Sequence, residues 1–314
     1  MEGLVRENRR AGRLGVTYGL AVAFLAAYLV VGIPTAAASD LCGVTITADL
    51  KLDHDLACAG VGITVGADGV TIRLNGHTIS GPVAMDPSVS GIIVLGRTDV
   101  SIRGPGTVMG FFAGVRIVGS SDVEVKRLTV MGSHEAGIRL EGSTDVKVVG
   151  NEVFGGHHDA IQLRNSHGNV IMENVATASD PSGCAINLVS SNNNLVKKNS
   201  LSNSGTSGIQ LGRIASLPPS SGNRILENEI SDSTHGIRAF GGATGNLVSK
   251  NEIVDSTNGI SFVGPAPEAL GNTYSKNEIE ANACGIKGSA TELAGNTFID
   301  NEFEDNGSDV CLEA

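Results

Sequence analysis

The sequence has no tryptophan, three tyrosines and eight phenylalanines among 314 residues, so it lacks the aromatic platforms on which neutral sugar chains usually stack. Positive charge is scarce as well. Twenty-two Lys and Arg stand against 33 Asp and Glu, and because the first 38 residues hold four Arg and two Glu, the remainder keeps 18 basic and 31 acidic side chains. An acidic body of this kind repels nucleic acid and anionic membrane surfaces. No nucleic-acid partner is expected, and an anionic ligand needs a local basic patch. Helical periodicity is missing too: Ala-rich stretches such as 265–270 are too short to form a useful helix, which points to an all-β chain with no substantial helix beyond its N-terminal segment.

What is present begins with Arg6, Arg9, Arg10 and Arg13, followed by the apolar run Gly15 to Ile33, then Pro34 and the small residues Ala36, Ala37 and Ala38. Basic, apolar and small-residue regions in that order are the pattern of a secretory signal peptide, here residues 1–38, although a 19-residue apolar run is also long enough to serve as an anchor. No second run of that length follows. The expectation is therefore a secreted, periplasmic or cell-surface protein with no stable membrane partner after signal cleavage. All five Cys lie beyond residue 38, where disulfides persist in an exported protein. Cys42 and Cys58 bracket a short segment, residues 39–61, and are the expected bridge of an N-terminal cap. Cys284 and Cys311 are a second candidate pair, and Cys184 reads as a small buried hydrophobe.

Internal repetition decides the fold class. A small residue, then Gly or Ala, then Ile or Val recurs with its central residue at 91, 114, 137, 160, 185, 208, 236, 259 and 285, at intervals of 23, 23, 23, 25, 23, 28, 23 and 26. A second ladder at the same period runs through Asp99, Asp122, Asp145, Asn169, Asn194, Asn223, Asn246, Asn272 and Asn296. A third runs through Asn151, Asn174, Asn199, Asn228, Asn251, Asn277 and Asn301. Alternating apolar residues between fixed Asn, Asp and Gly positions mean short strands joined by tight corners. Units without crossover helices satisfy their backbone only by stacking coil on coil, with Asn amides bonding from one coil to the next. Residues 62–314 are thus expected to form a single-domain solenoid of about ten coils.

The segment Ile72-Arg73-Leu74-Asn75-Gly76-His77-Thr78-Ile79-Ser80-Gly81 after a Cys-bracketed cap, with the Gly-Ile-x-Leu and Gly-Asn repeats that follow it, resembles the right-handed parallel β-helix proteins of the pectate-lyase-like superfamily. It is similar in particular to the group that includes the NosD-like periplasmic accessory proteins. The resemblance implies the fold across residues 42 to 311 and leaves activity open, because the same scaffold carries lyases, hydrolases, epimerases, adhesins and non-enzymatic proteins. It also assigns His77 to a shared structural motif.

Residues one period apart are stacked neighbours, so the repeat turns sequence distance into contact. The outward position of the first strand is filled in turn by Arg116, Arg139, Gln162, Asn187, Gln210, Arg238, Ser261 and Lys287, with Glu141 expected to pair with Arg164 beside it. Arg, Gln and Asn together suit an acidic polysaccharide, with planar donors for carboxylates and amides for hydroxyls. Substrate-binding candidates are Arg116, Gln162, Arg164, Asn187, Gln210 and Arg238. The preceding corner concentrates His134, Glu135, His157, His158 and Asp159, with Asp180 and His235 as candidates to border the same groove.

Proton abstraction beside a uronate carboxylate needs a cation on that carboxylate, a role open to Arg139, Arg116 or Arg164, and a base, a role open to His157 or His158. That predicts a polysaccharide lyase or epimerase with no cofactor, a metal ion being the alternative. Glu135 and Asp159 as a paired acid and nucleophile give a less favoured glycoside hydrolase. Calcium-assisted chemistry is disfavoured because the outward positions lack a carboxylate cluster. His134, His157, His158 and Asp159 as metal ligands give a metal-accessory protein, and a regular solenoid with neither activity gives a structural or adhesive one.

Overall fold

The computed structural model describes residues 41–313 apart from 84, 179, 215 and 265, so the predicted signal segment lies outside the described residues. Short strands alternate with corners along this whole length. They assemble into three parallel sheets of 12, 11 and 11 strands, in each of which every third strand of the chain pairs with the next. One coil reads Ala136–Glu141, Lys147–Val149 and Glu152–Phe154, each strand in register with its counterpart in the coil above. The result is a parallel β-helix of about 12 coils rather than ten. The difference arises at the two ends: Val44–Ile46, Leu50–Lys51 and Leu56–Ala57 pair with Ile63–Val65, Thr71–Arg73 and Thr78–Ser80, and Val310–Leu312 adds a last strand on Cys284–Gly288. Those first strands are two or three residues long and lie in residues 39–61, the stretch the sequence assigns to the cap, although Cys42-Gly43-Val44 there carries the small-Gly-Val motif of the later coils.

Period-two alternation sends Ile138, Leu140, Ile161, Leu163, Ile186 and Leu188 inward, all fully buried in a core that runs the length of the stack. Two disulfides, Cys42–Cys58 and Cys284–Cys311, tie the terminal coils, and Cys184 is free and buried. The only helix among the described residues is Ala290–Gly295, started by a capping box in which Ser289 and Glu292 satisfy each other's backbone. No helix among the described residues is long and apolar enough to cross a membrane.

The third Asn ladder is as expected, buried and bonded coil to coil: Asn174 Nδ2 donates to Asn199 Oδ1 at 3.0 Å, and Asn199 Nδ2 to Asn228 Oδ1 at 2.9 Å. The second ladder divides in two. Asp99, Asp122 and Asp145 occupy a left-handed corner position, with φ of 56°, 51° and 55°, later taken by Gly168, Asn193 and Gly222. Asn169, Asn194 and Asn223 stand one residue further on, at the buried site held by Val100, Val123 and Val146 in earlier coils. Both sites recur every coil, and Asp, Asn and Gly share the tolerance for positive φ that the corner requires, so a pattern of residue types merges them.

Candidate functional site

The outward row of the first sheet is in register from Arg116 through Arg139, Gln162, Asn187, Gln210, Arg238 and Ser261 to Lys287. The sequence suggests an open face, yet Arg139, Gln162 and Asn187 are 8%, 6% and 9% exposed. Flanking segments lean over the row at Arg116, Arg139 and Arg238. Arg116 donates to the Pro87 carbonyl at 3.1 Å, the Arg139 guanidinium lies 5.6 Å from the Phe112 ring, and Arg238 sits 4.7 Å above the Phe240 ring. The row is therefore a recessed floor between two walls.

Three arginines gather at one end of this floor, and two glutamates neutralise most of their charge. Glu141 accepts from Arg116 Nε and Nη2 at 3.3 and 3.2 Å and meets Arg139 Nε at 2.5 Å, while Glu135 pairs with Arg139 Nη1 at 3.2 Å. The expected Glu141–Arg164 ion pair does not form. The two residues are register neighbours, but Glu141 turns back across the strand to the like-charged pair Arg116 and Arg139, where one carboxylate offsets two cations. Burial works to raise the Glu141 pKa, yet the hydrogen bond from Arg116 and the charges of Arg139 and Arg116 outweigh it and hold the carboxyl below its usual range.

Asp159 organises the middle of the floor. Its Oδ2 receives Gln162 Nε2 at 2.6 Å and Asn187 Nδ2 at 2.9 Å, and its Oδ1 receives the Cys184 amide at 3.0 Å. Gln210 then donates to Asn187 Oδ1 at 3.2 Å, and Arg238 to Gln210 Oε1 at 3.4 Å. Burial raises the Asp159 pKa against the lowering effect of these hydrogen bonds. Both of its oxygens are engaged by donors, which sets it apart from a carboxyl poised beside Glu135 to cleave a glycosidic bond.

The imidazoles form the lip of one wall. His134 stacks on Phe112 with ring centroids 6.2 Å apart, and His157 follows at 5.2 Å. His157 is mostly exposed, with Nδ1 3.7 Å from Asp180 Oδ2, and His158 Nδ1 lies 3.3 Å from Ser182 Oγ. Asp180 is kept ionised by hydrogen bonds from the Ser182 hydroxyl and backbone amide. Asp159 faces the amides of the floor and not these rings. Among the described residues no group of three His, Cys, Asp or Glu is placed to hold a metal ion.

A family model described as a right handed beta helix region matches residues 61–218, 113–269 and 177–313. The chain belongs to this right-handed β-helix family. No curated protein matches it by sequence. Solved structures share its fold at low identity. They include the catalytic domain of a GH87 α-1,3-glucanase in complex with nigerose (TM-score 0.63, 16% identity, 85% of this chain and 59% of that one). The periplasmic alginate epimerase AlgG is similar at TM-score 0.60 and 14% identity, over 77% of this chain and 62% of that one. The polygalacturonase from Erwinia carotovora ssp. carotovora gives TM-score 0.65 and 10% identity, over 82% and 85%. This β-helix thus spans under two thirds of the glucanase domain and of the epimerase.

The relay role of Asp159 and the bridging role of Glu141 were not visible in the sequence, because the repeat gives stacking but not the direction in which a side chain turns. His235 is also placed differently from expectation. It is 9% exposed, stacked between Ser207 and Asn258, with Nδ1 3.2 Å from the Asn258 amide nitrogen, so it lies within the sheet and not along an open rim. Burial, then the charges of Arg238 and Lys287, lower its pKa from 6.5 to about 4.

The unfolded β-helix then binds this proton near pH 6.5 while the folded one resists it until about pH 4. Between those values the unfolded state holds more protons, so acidification costs stability, about 3 kcal/mol for this group across the window. The unfolding free energy followed from pH 7 to 4 is expected to fall less steeply in His235→Asn than in the parent. Parallel curves would show that His235 does not carry the effect.

Proposed function

We propose that this chain is an exported protein that binds an acidic, uronate-containing polysaccharide along the recessed floor of its first sheet. Acting as a lyase or epimerase, it then removes the proton beside a uronate carboxylate at the His134–His157–His158 lip. The observation that carries this reading is the floor itself: a register-locked row of Arg, Gln and Asn, basic at both ends, on a chain of net charge -11. Arg164, beside the Arg116–Glu141–Arg139 group, supplies the charge to hold a carboxylate. His157, exposed and with Nδ1 3.7 Å from Asp180 Oδ2, is the base. Export is supported by the N-terminal Arg-apolar-Ala pattern and by the two disulfides. The compounds named for the structural neighbours, alginate for the epimerase and nigerose bound to the glucanase, are carbohydrates.

The neutralised state of Arg139, held between Glu135 and Glu141, favours a second reading in which the floor binds a glycan and turns nothing over. A panel of uronate polysaccharides separates the two. Lyase action gives absorbance from an unsaturated product, epimerase action gives proton exchange at C5, and either signal is expected to drop at least 100-fold in a His157→Ala, His158→Ala double variant. Binding without either signal leaves the second reading. Absence of binding across the panel removes both.

A further inference from the structure

The middle of the floor is built differently from its ends. At one end stand Arg116, Arg139 and Arg164; at the other, Arg238. Between them the outward row is Gln162, Asn187 and Gln210, with Asp159 beneath. The direction of every amide in this stretch follows from Asp159. Three donors converge on its two oxygens, so Gln162 and Asn187 must each turn their nitrogen toward it. Asn187 Oδ1 then accepts from Gln210, whose own Oε1 accepts from Arg238. One group is left over. Gln162 Oε1 is buried and has no hydrogen-bond partner, and it belongs to a side chain 6% exposed on the outward side of the strand, opposite the core residues Ile161 and Leu163. A buried acceptor without a donor is costly and is commonly satisfied by a ligand or a water.

We propose that the floor above Asp159, Gln162 and Asn187 is a subsite for an uncharged sugar residue, whose hydroxyl donates to Gln162 Oε1 while Asp159 acts as the positioning residue that holds that oxygen free. This rests on the reading of the floor as a binding site for an acidic glycan and narrows it. A carboxylate here would face an acceptor oxygen with the carboxylates of Asp159 and Glu135 close by, and the register neighbour Arg139 is already paired with Glu135 and Glu141. A hydroxyl supplies the proton the site lacks. Coils repeat at about 4.8 Å, so Arg116 and Arg139 lie on the coils before Gln162 and Arg238 on the coil after Gln210, with Arg164 at the end of the strand that carries Gln162. The matching ligand has uronates interspersed with neutral sugars, in preference to a polymer with a carboxylate on every residue.

The test uses the purified chain and polygalacturonate in two forms, native and with half of its carboxylates reduced to primary alcohols, so that linkage and length stay constant. Alginate treated the same way serves as the second probe, and affinities are read by titration calorimetry. The half-reduced form is expected to bind about tenfold more tightly, a difference of about 1.4 kcal/mol. Gln162→Leu and Asp159→Asn are expected to bring the ratio of the two affinities to about one, whatever binding of either form remains: the first removes the acceptor, and the second lets the Gln162 amide reverse. A merely structural role would lower both affinities together and leave their ratio unchanged. Equal or tighter binding of the fully charged form, or a preference that survives in Gln162→Leu, overturns the neutral subsite while leaving the acidic-glycan reading in place. Failure of both polymers in both forms to bind removes the broader reading and this one with it.

Discussion

Asn199→Asp, which exchanges one amide nitrogen for an oxygen, is expected to destabilise the protein by about 4 kcal/mol or more, and Asn199→Ala by about 3 kcal/mol, read from urea unfolding. The side chain is 1% exposed and uses both ends fully. Its Oδ1 accepts from the backbone and side-chain nitrogens of Asn174, each at 3.0 Å. Its Nδ2 donates to the carbonyls of Ile171 and Lys197 at 3.0 and 3.2 Å and to Asn228 Oδ1 at 2.9 Å. Alanine leaves donors on one side and acceptors on the other without partners in a site closed to water. Aspartate does worse, because it keeps the acceptor toward Asn174 and points a second oxygen at three others. Its only relief is to take up a proton.

Position in the stack provides the control. Asn306 makes the same kind of contacts, accepting from Asn282 and donating to the Ile279 carbonyl at 2.8 Å, but it lies in the last coil and is only partly buried. Water can replace what it loses, so Asn306→Ala is expected to cost less than half as much as Asn199→Ala. Equal losses at the two positions would mean that the ladder is not what these residues contribute. In a solenoid each coil contacts only its neighbours, so the central substitution should also broaden the transition as the two halves uncouple.

The ladder also shows where reading a sequence succeeds and where it stops. Periodicity marks contact without geometry, and a β-helix is almost entirely periodic contact. Asn174, Asn199 and Asn228 are one coil apart whatever the side chains do, so their stacking was legible from spacing alone. The same logic brings His134 against His157.

Where the outcome depends on the direction of a flexible side chain, spacing is silent. Glu141 was expected on Arg164, its register neighbour, and instead turns to Arg116 and Arg139. Asp159 was grouped with the imidazoles by adjacency and instead faces the amides of Gln162 and Asn187. The serine ladder Ser120, Ser143, Ser166, Ser191 and Ser220, in which each hydroxyl accepts the backbone amide of the previous serine, went unread because serine is too common at corners to stand out.

Glu141→Gln is the second large expected effect, and it runs in opposite directions for stability and binding. Arg116 and Arg139 are register neighbours of like charge, and Glu141 contacts both. Arg139 is 8% exposed and keeps only Glu135 when that carboxylate is neutralised. Removing one partner of a buried ion pair typically costs about 3–5 kcal/mol, whereas replacing the whole pair with apolar groups costs far less. A variant that replaces the whole group, with Arg116→Gln and Glu135→Gln alongside Arg139→Leu and Glu141→Leu so that no ion is left without its partner, is therefore expected to unfold at a higher urea concentration than Glu141→Gln alone.

The same neutral variant removes the negative charge that competes with a ligand for Arg116 and Arg139. Its affinity for an acidic polysaccharide is expected to rise several-fold at low salt and to fall more steeply as salt is added, since more of the attraction is then carried by unscreened cations. A Glu141→Gln protein that is less stable yet binds more tightly would show that these arginines face the ligand. A loss of both stability and affinity would show that the charge cluster holds the floor together and does not meet the glycan.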